Sequence, residues 1–172
     1  MKAPRPIVLV TGGARSGKSG FALERGVAMG TPRLFVATAE PRDAEMAARI
    51  ARHRAERARG WRTVEAPKRL AAVLRRPGAA VVLIDCLTLW LANVMDDDAA
   101  RDVTPDVDAL IGALALRRAS VIAVTNEVGL GIVPGNPLAR AFRDAAGFMN
   151  QRVASVADEV YLVVAGQHLR IK

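Results

Sequence analysis

Residues 11–20 read TGGARSGKSG, directly after the apolar run IVLV at residues 7–10 and ahead of a segment with helical periodicity. Gly12 to Ser19 satisfies G-x-x-x-x-G-K-S in full. The pattern has a physical reason. Glycines let the backbone curl until successive N–H groups face one phosphate oxygen. The start of the following helix adds its dipole and its unpaired N–H groups. Lys18 then reaches the β- and γ-phosphates, and the Ser19 hydroxyl offers a ligand to Mg²⁺. A glycine-rich turn without function would have to meet both the pattern and its strand-before, helix-after context by chance.

Outward from this loop, short β-branched runs predict strands at Ile7–Val10, Leu34–Ala37, Val81–Ile84, Val121–Thr125 and Val160–Val164. Helical periodicity covers Lys18–Met29, Asp43–Arg59, Lys68–Arg75, Val107–Arg117 and Pro137–Ala157, the last as two helices or one with a kink. Buried-type strands alternating with helices imply an α/β fold, a mostly parallel sheet covered on both faces. The tail VYLVVAGQHLRIK predicts a strand, a tight turn at Ala165–Gly166 and a second short strand, hence an antiparallel edge. In open parallel sheets ligands sit beyond the carboxyl ends of strands. The loops at 38–42, 96–105 and 128–137 are therefore expected to point toward one site. The run LTLWLANVM at 87–95 reads equally as core or as part of a subunit interface.

The 172 residues suit one domain, 1–172, and 51% apolar residues suffice for a sizeable core. The net charge of +8 favours anionic partners: nucleic acid, a membrane surface or phosphorylated small molecules. A single cysteine, Cys86, excludes an internal disulfide framework and a four-cysteine zinc site, and fits a reducing compartment. MKAPRP precedes too short an apolar run for a secretory signal, and no run of about 18 apolar residues spans a membrane, so the expectation is a cytoplasmic protein.

A phosphate loop also needs an acid near its metal. VVLIDC places Asp85 at the end of an apolar strand, with capping of a helix at Leu87 as the alternative role. Cys86 beside it reads as a small buried filler. TNEVG at 125–129 has the asparagine of an N/T-K-x-D guanine reader but not the rest. Glu127 is placed as a base or substrate-orienting group, or as the partner of a nearby arginine. Of the two histidines, His168 falls in the terminal hairpin and reads as structural. His53 lies in EMAARIARHRAERARGW, where Met46, Ile50, His53 and Arg57 share one helical face. The surrounding arginines suit a polyphosphate and would hold the imidazole neutral, as nucleophilic attack requires. A solvated basic helix and a nucleic-acid face are the alternatives, the latter without aromatic interleaving or a recognition motif.

The stretches LVTGGARSGKS, EMAARIARHRAERARGWRTVEAP, LIDCLTLWLANVM, VTNEVGLGIVPGNPLARAFRDAAGFMNQRVA and ADEVYLVVAGQHLRIK together resemble one family. It is that of the bifunctional adenosylcobinamide kinase / adenosylcobinamide-phosphate guanylyltransferases of cobalamin biosynthesis, and the likeness runs from Ile7 to Lys172. The phosphate loop is generic. NEVGLGIVP followed by NQR is the specific part. The resemblance implies a RecA-like three-layer phosphate-loop fold, a homotrimer, and no nucleic-acid partner. It implies that His53 accepts GMP from GTP and that Lys18 acts on the phosphates. It places nucleotide contacts at Gly12, Gly13, Ala14, Arg15, Ser16, Gly17, Lys18 and Ser19, at Ala37, Thr38 and Ala39, at Arg54, Ala55, Glu56 and Arg57, at Glu65 and at Asp85. Ser19 and Asp85 would serve Mg²⁺. GTP, ATP and adenosylcobinamide are the implied substrates. Arg52 stands where some relatives carry a second histidine, and Asp85 where some carry glutamate. On the residues alone, a kinase of another small molecule and a non-catalytic nucleotide- or polyanion-binding module stay open.

Overall fold

The computed structural model of the protein describes residues 5–56 and 60–172, with the side chains of residues 49, 52, 53, 55 and 56 outside the description. The chain runs β1 (Ile7–Gly12), α1 (Lys18–Ala28), β2 (Arg33–Ala37), α2 (Ala44–Glu56), β3 (Trp61–Glu65), α3 (Leu70–Arg75), β4 (Val81–Asp85), α4 (Leu87–Met95), α5 (Thr104–Ala115), β5 (Ser120–Val124), α6 (Pro137–Val156), β6 (Glu159–Val164) and β7 (Gln167–Arg170). The strands form one sheet in the order β3-β2-β4-β5-β1-β6-β7. All neighbouring pairs are parallel except β6–β7. Parallel neighbours need crossovers, and the helices supply them.

The strands are buried on both faces because both faces are covered. On β1, Ile7 and Leu9 face one core and Val8 and Val10 the other. The larger core takes Leu70 and Leu74 of α3, Trp90 and Leu91 of α4, Leu110 and Leu114 of α5, and Met149 and Val153 of α6. The smaller core sits under α1, through Phe21 and Ala22, and includes Tyr161 of β6. The result is the expected α/β three-layer domain with an antiparallel edge strand at its carboxyl end.

Four points are added or decided by the structure. WRTVE at 61–65 is a strand, β3, at one sheet edge, half-exposed and without apolar alternation. LTLWLANVM is core: Leu87 and Leu91 are wholly buried in α4 and the Trp90 indole donates to Lys68 O at 3.0 Å. The 137–157 segment is one helix of 20 residues, entered through Pro137 and capped by the Asn136 side chain. Asp85 does not cap α4, whose N-cap residue is Cys86.

Candidate active site

The loop between β1 and α1 is built by local chemistry. Gly17 sits at φ 96°, where a side chain is strained, and forms the N-cap of α1. Gly12 is required for space, because a Cβ there would lie 2.3 Å from the Val163 carbonyl oxygen of β6. Gly13, Ala14 and Arg15 are exposed at the loop's crest. The Gly166 N–H, in the β6–β7 turn, donates to Ser16 O at 2.9 Å and props the loop from behind. Lys18 Nζ donates to Gly13 O at 2.8 Å, so the lysine tail folds back across the loop. The Ser16 hydroxyl is buried and finds no acceptor or donor among the described residues. A buried hydroxyl left without a partner is costly. A phosphate oxygen on the loop is the partner it fits.

Asp85 ends β4, two strands from β1, with β5 between them. Val124 of β5 is level with Val10 on one side and with Asp85 on the other. A cavity of about 430 Å³ opens here beyond the carboxyl ends of the strands. Its floor includes Lys18, Ser19, Asp85, Cys86 and Asn126. Ala37 ends β2 and Ala39 follows it, and Met46, Ile50 and Arg54 of α2 form the far wall with Glu65 at the end of β3. The cavity thus joins the phosphate loop to the basic helix. Of the expected contacts, Lys18, Ser19, Ala37, Ala39, Arg54, Glu65 and Asp85 come together on it.

The remaining expectations fall differently. Thr38 is wholly buried, and its hydroxyl accepts the Cys86 N–H at 2.8 Å and donates to Cys86 O at 2.7 Å. It ties the loop after β2 to β4. Residue 53 belongs to α2, one position before Arg54, but the side chains of His53, Ala55 and Glu56, and Arg57 entirely, lie outside the described residues. The loops at 96–105 and 128–137 do not line the cavity. Asp97 and Asn136 line a separate hollow of about 300 Å³ instead. Glu127 pairs with no arginine among the described residues, and its Oε1 accepts the Gly129 N–H at 2.7 Å within its own loop.

The electrostatics separate the groups. Arg54 Nη2 and Glu65 Oε1 pair at 2.8 Å with both side chains more than half exposed. An exposed pair of this kind contributes at most about 1 kcal/mol, so either partner can turn to a ligand at little cost. Burial, reinforced by the Asp85 charge, pushes the Cys86 thiol up to about 11, so it stays protonated and unreactive at neutral pH. Among the described residues no three His, Cys, Asp or Glu side chains cluster as a metal site. The Ser19 hydroxyl and the Asp85 carboxylate are hard oxygen donors on one cavity, which suits a Mg²⁺ completed by phosphate oxygens and water. Asn126 was missed by sequence reading. TNEVG and NEVGLGIVP both contain it, but its place on the cavity speaks only once the strand order is known.

A strand, a loop that cradles phosphate, a helix beginning at its lysine, and an acid two strands away define a phosphate-loop nucleotide-binding protein of the RecA-like kind. Solved structures share that fold at low identity. The flagellar accessory protein FlaH of Methanocaldococcus jannaschii superposes with a TM-score of 0.54 at 12% identity, over 97% of this chain and 78% of that one. An ATPase from the type III secretion system of pathogenic bacteria gives 0.50 at 13% identity, over 92% and 52%. The sequence narrows the class. Residues 8–171 match the family described as cobinamide kinase / cobinamide phosphate guanyltransferase. The bifunctional adenosylcobalamin biosynthesis proteins CobP of Pseudomonas aeruginosa and CobU of Salmonella typhimurium are each 42% identical to this chain, covering 95% and 96% of it and 96% and 99% of themselves. CobU of Escherichia coli is 43% identical over 96% of the chain and 99% of its own length. The chain belongs to the cobinamide kinase / cobinamide phosphate guanyltransferase family, and is an enzyme of the bifunctional kinase and nucleotidyltransferase class.

Proposed function

We propose that the protein phosphorylates adenosylcobinamide with ATP or GTP and then transfers GMP from GTP to the product, giving adenosylcobinamide-GDP. The observation that carries this reading is the continuity of the cavity from Lys18 and Ser19 to Arg54 and Glu65. One end holds phosphates. The other offers an arginine, a carboxylate and the helix that bears His53.

In the first reaction the aminopropanol hydroxyl of adenosylcobinamide attacks the γ-phosphorus and gives up its proton to water, the bond to the bridging β,γ-oxygen breaks, and the nucleoside diphosphate leaves. Lys18 and the loop N–H groups stabilise the charge on the transferring group. Ser19 and Asp85 would hold a Mg²⁺ ion, which would supply neutralising charge to the phosphates. In the second reaction a His53 ring nitrogen attacks the α-phosphorus of GTP and pyrophosphate leaves. A phosphate oxygen of adenosylcobinamide-phosphate then attacks the same phosphorus, the P–N bond breaks, and neutral His53 is regenerated. The P–N bond is high in energy, so transfer to a weak phosphate nucleophile is feasible. The arginines of α2 offset negative charge on both substrates.

Gly12 to Ser19, Ala37 to Ala39, Arg54 to Arg57, Glu65 and Asp85 form the nucleotide contacts in this reading. The chain works as one domain and as a homotrimer in the cytoplasm. The exposed apolar side chains of Leu169 in edge strand β7 and Ile171 just after it support an assembly, and sedimentation velocity reads its size. Among the described residues no helix is long and apolar enough to cross a membrane.

The test is the intact mass of the protein after incubation with GTP and Mg²⁺, denatured at neutral to alkaline pH, beside His53→Ala. A GMP adduct on the wild type and none on the variant is expected. No adduct under conditions where GTP binds would remove the guanylyltransferase half and leave a kinase or a binding protein, separated by turnover with adenosylcobinamide.

A further inference from the structure

A cavity of about 430 Å³ that takes a nucleoside triphosphate has no room for the corrin ring of adenosylcobinamide as well. The ring must rest on the surface beside it. We propose that it rests over the hollow between α4 and α6, against the apolar loop that leads into α6. The assignment rests on the reading of adenosylcobinamide as substrate.

Position is the first support. Helix α4 lies between the two spaces. Its Leu89 lines the nucleotide cavity, and its Ala92 and Met95 line the hollow. Ala92 is three residues past Leu89, about 4.5 Å along the helix axis. Leu138 and Phe142 of α6 form the opposite wall. The segment from β5 to α6 is also tied to the phosphate loop at its start, where the Glu127 N–H donates to Gly12 O at 3.1 Å. From a ring seated here, a short arm such as the aminopropanol group can cross α4 to the phosphates.

The loop itself presents apolar surface. Its two ends are fixed. Glu127 Oε1 accepts the Gly129 N–H at 2.7 Å, and Arg140 Nη1 donates to Pro134 O at 2.9 Å and to Gly135 O at 2.7 Å. Between these anchors Leu130, Ile132 and Val133 are 87%, 98% and 60% exposed. Three large apolar side chains left to water within four residues mark a binding surface. A corrin ring has a broad face of methyl and methylene groups for them to cover. Its rim of carboxamides suits the polar edge of the hollow, where Asp97 and Asn136 stand.

Charge chooses among occupants. In a chain of net charge +8, the only charged side chain lining the hollow among the described residues is the Asp97 carboxylate. Its partner Arg42 is 3.6 Å away and is shared with Glu40, at 3.3 Å. The hollow therefore does not invite a phosphate. Adenosylcobinamide is a cation, because the corrin anion and the adenosyl carbanion balance two of the three charges on Co(III). The substrate's positive ring and the nucleotide's negative phosphates are thus taken by separate surfaces.

The test is equilibrium dialysis of the full chain against adenosylcobinamide in dim light, with and without Mg²⁺ and AMP-PNP, read by corrin absorbance. Ala139→Trp fills the hollow from α6, and the double change Leu130→Asp with Ile132→Asp removes the apolar tip. Each is expected to weaken corrinoid binding about tenfold or more, through lost apolar contact. Each should leave AMP-PNP affinity within about twofold, since separate sites act independently. Asp97→Asn should weaken adenosylcobinamide about threefold and spare dicyanocobinamide, whose two cyanides leave it neutral. Should Ala139→Trp fail to fold, the loop variant decides, because its residues are exposed. Wild-type corrinoid affinity in the hollow and loop variants overturns the seat and leaves the proposed reactions standing. A loss that comes with dissociation in sedimentation velocity gives the loop to a second copy of the chain, and overturns the seat too. A wild type that binds no adenosylcobinamide in either condition overturns the corrinoid reading itself.

Discussion

Cys86 shows how position changes the chemistry of a residue. It stands next to Asp85 on the cavity floor, where an exposed thiol would invite a catalytic reading. Burial and the neighbouring carboxylate hold its pKa at about 11 against an ordinary 9.0. Two measurements follow. A neutral thiol reagent at pH 8 should leave native protein unlabelled and label it on unfolding. Stability should also carry a Cys86 component in alkali. The raised folded pKa means this component is complete below pH 9, where both states are protonated, and is lost as pH climbs through 11 because the unfolded thiol ionises first. The loss amounts to about 2–3 kcal/mol for a shift of this size. Chemical denaturation of wild type and Cys86→Ala between pH 8 and 11 reads it as a difference in slope, and equal slopes would count against it. Gly12 is the counterpart in space rather than charge. Gly12→Ala presses a methyl onto the Val163 carbonyl, and should abolish nucleotide binding by calorimetry even where the variant still folds.

Among the elements, α4 does more than fill the core. Asn93, 5% exposed, donates through Nδ2 to Thr38 O at 2.7 Å and to Pro67 O at 3.2 Å. One side chain thereby pins the segment that follows β2, which carries Ala39 to the cavity, and the segment just past Glu65 at the end of β3. Asn93→Ala leaves two carbonyls without this donor and should cost about 2 kcal/mol in urea unfolding. Helix α1 is seated by a different device. A Cβ on Gly26 would lie 2.6 Å from the Trp61 ring of β3. Gly26→Ala gains helix propensity yet should still lose about 1–3 kcal/mol by overpacking, read as a lower Tm. These elements also mark what the sequence could tell. The phosphate loop was legible because its signal lies within eight consecutive residues. Strand β3 was not, because an edge strand with Arg62, Thr63 and Glu65 exposed has little apolar periodicity. Helix α4 was ambiguous because a helix buried nearly all round has no polar face to reveal it. Pro137–Val156 is one continuous helix and not two. The family resemblance groups Thr38 with Ala37 and Ala39, which line the cavity. The Thr38 hydroxyl is spent on Cys86, a residue 48 positions away, and no local pattern shows that.

At the scale of the molecule, the carboxyl-terminal hairpin governs the amino-terminal loop. β6 pairs with β1 along its length, and the turn after it donates from Gly166 to Ser16. Removing residues 165–172 takes away no expected nucleotide contact. It should nevertheless weaken Mg²⁺-nucleotide binding at least tenfold, since it frees the back of the loop. Calorimetry on a truncation that retains its far-ultraviolet circular dichroism checks this, and wild-type affinity would show that the loop stands without its prop. The net charge of +8 acts over the same range. Association with a polyphosphate should slow as salt shortens the Debye length, while groups inside the cavity are screened less.

The sheet order sets the gauge of the site. Strands lie about 4.8 Å apart, so placing β5 between β1 and β4 spaces the lysine's loop from the carboxylate by about 10 Å of rigid, hydrogen-bonded backbone. That interval comes in whole strands. Point substitution can change what occupies the gap but cannot trim it by an ångström. Selection can therefore adjust the tip of the dividing strand, and the acid itself by one methylene, while the jaws on either side keep their separation.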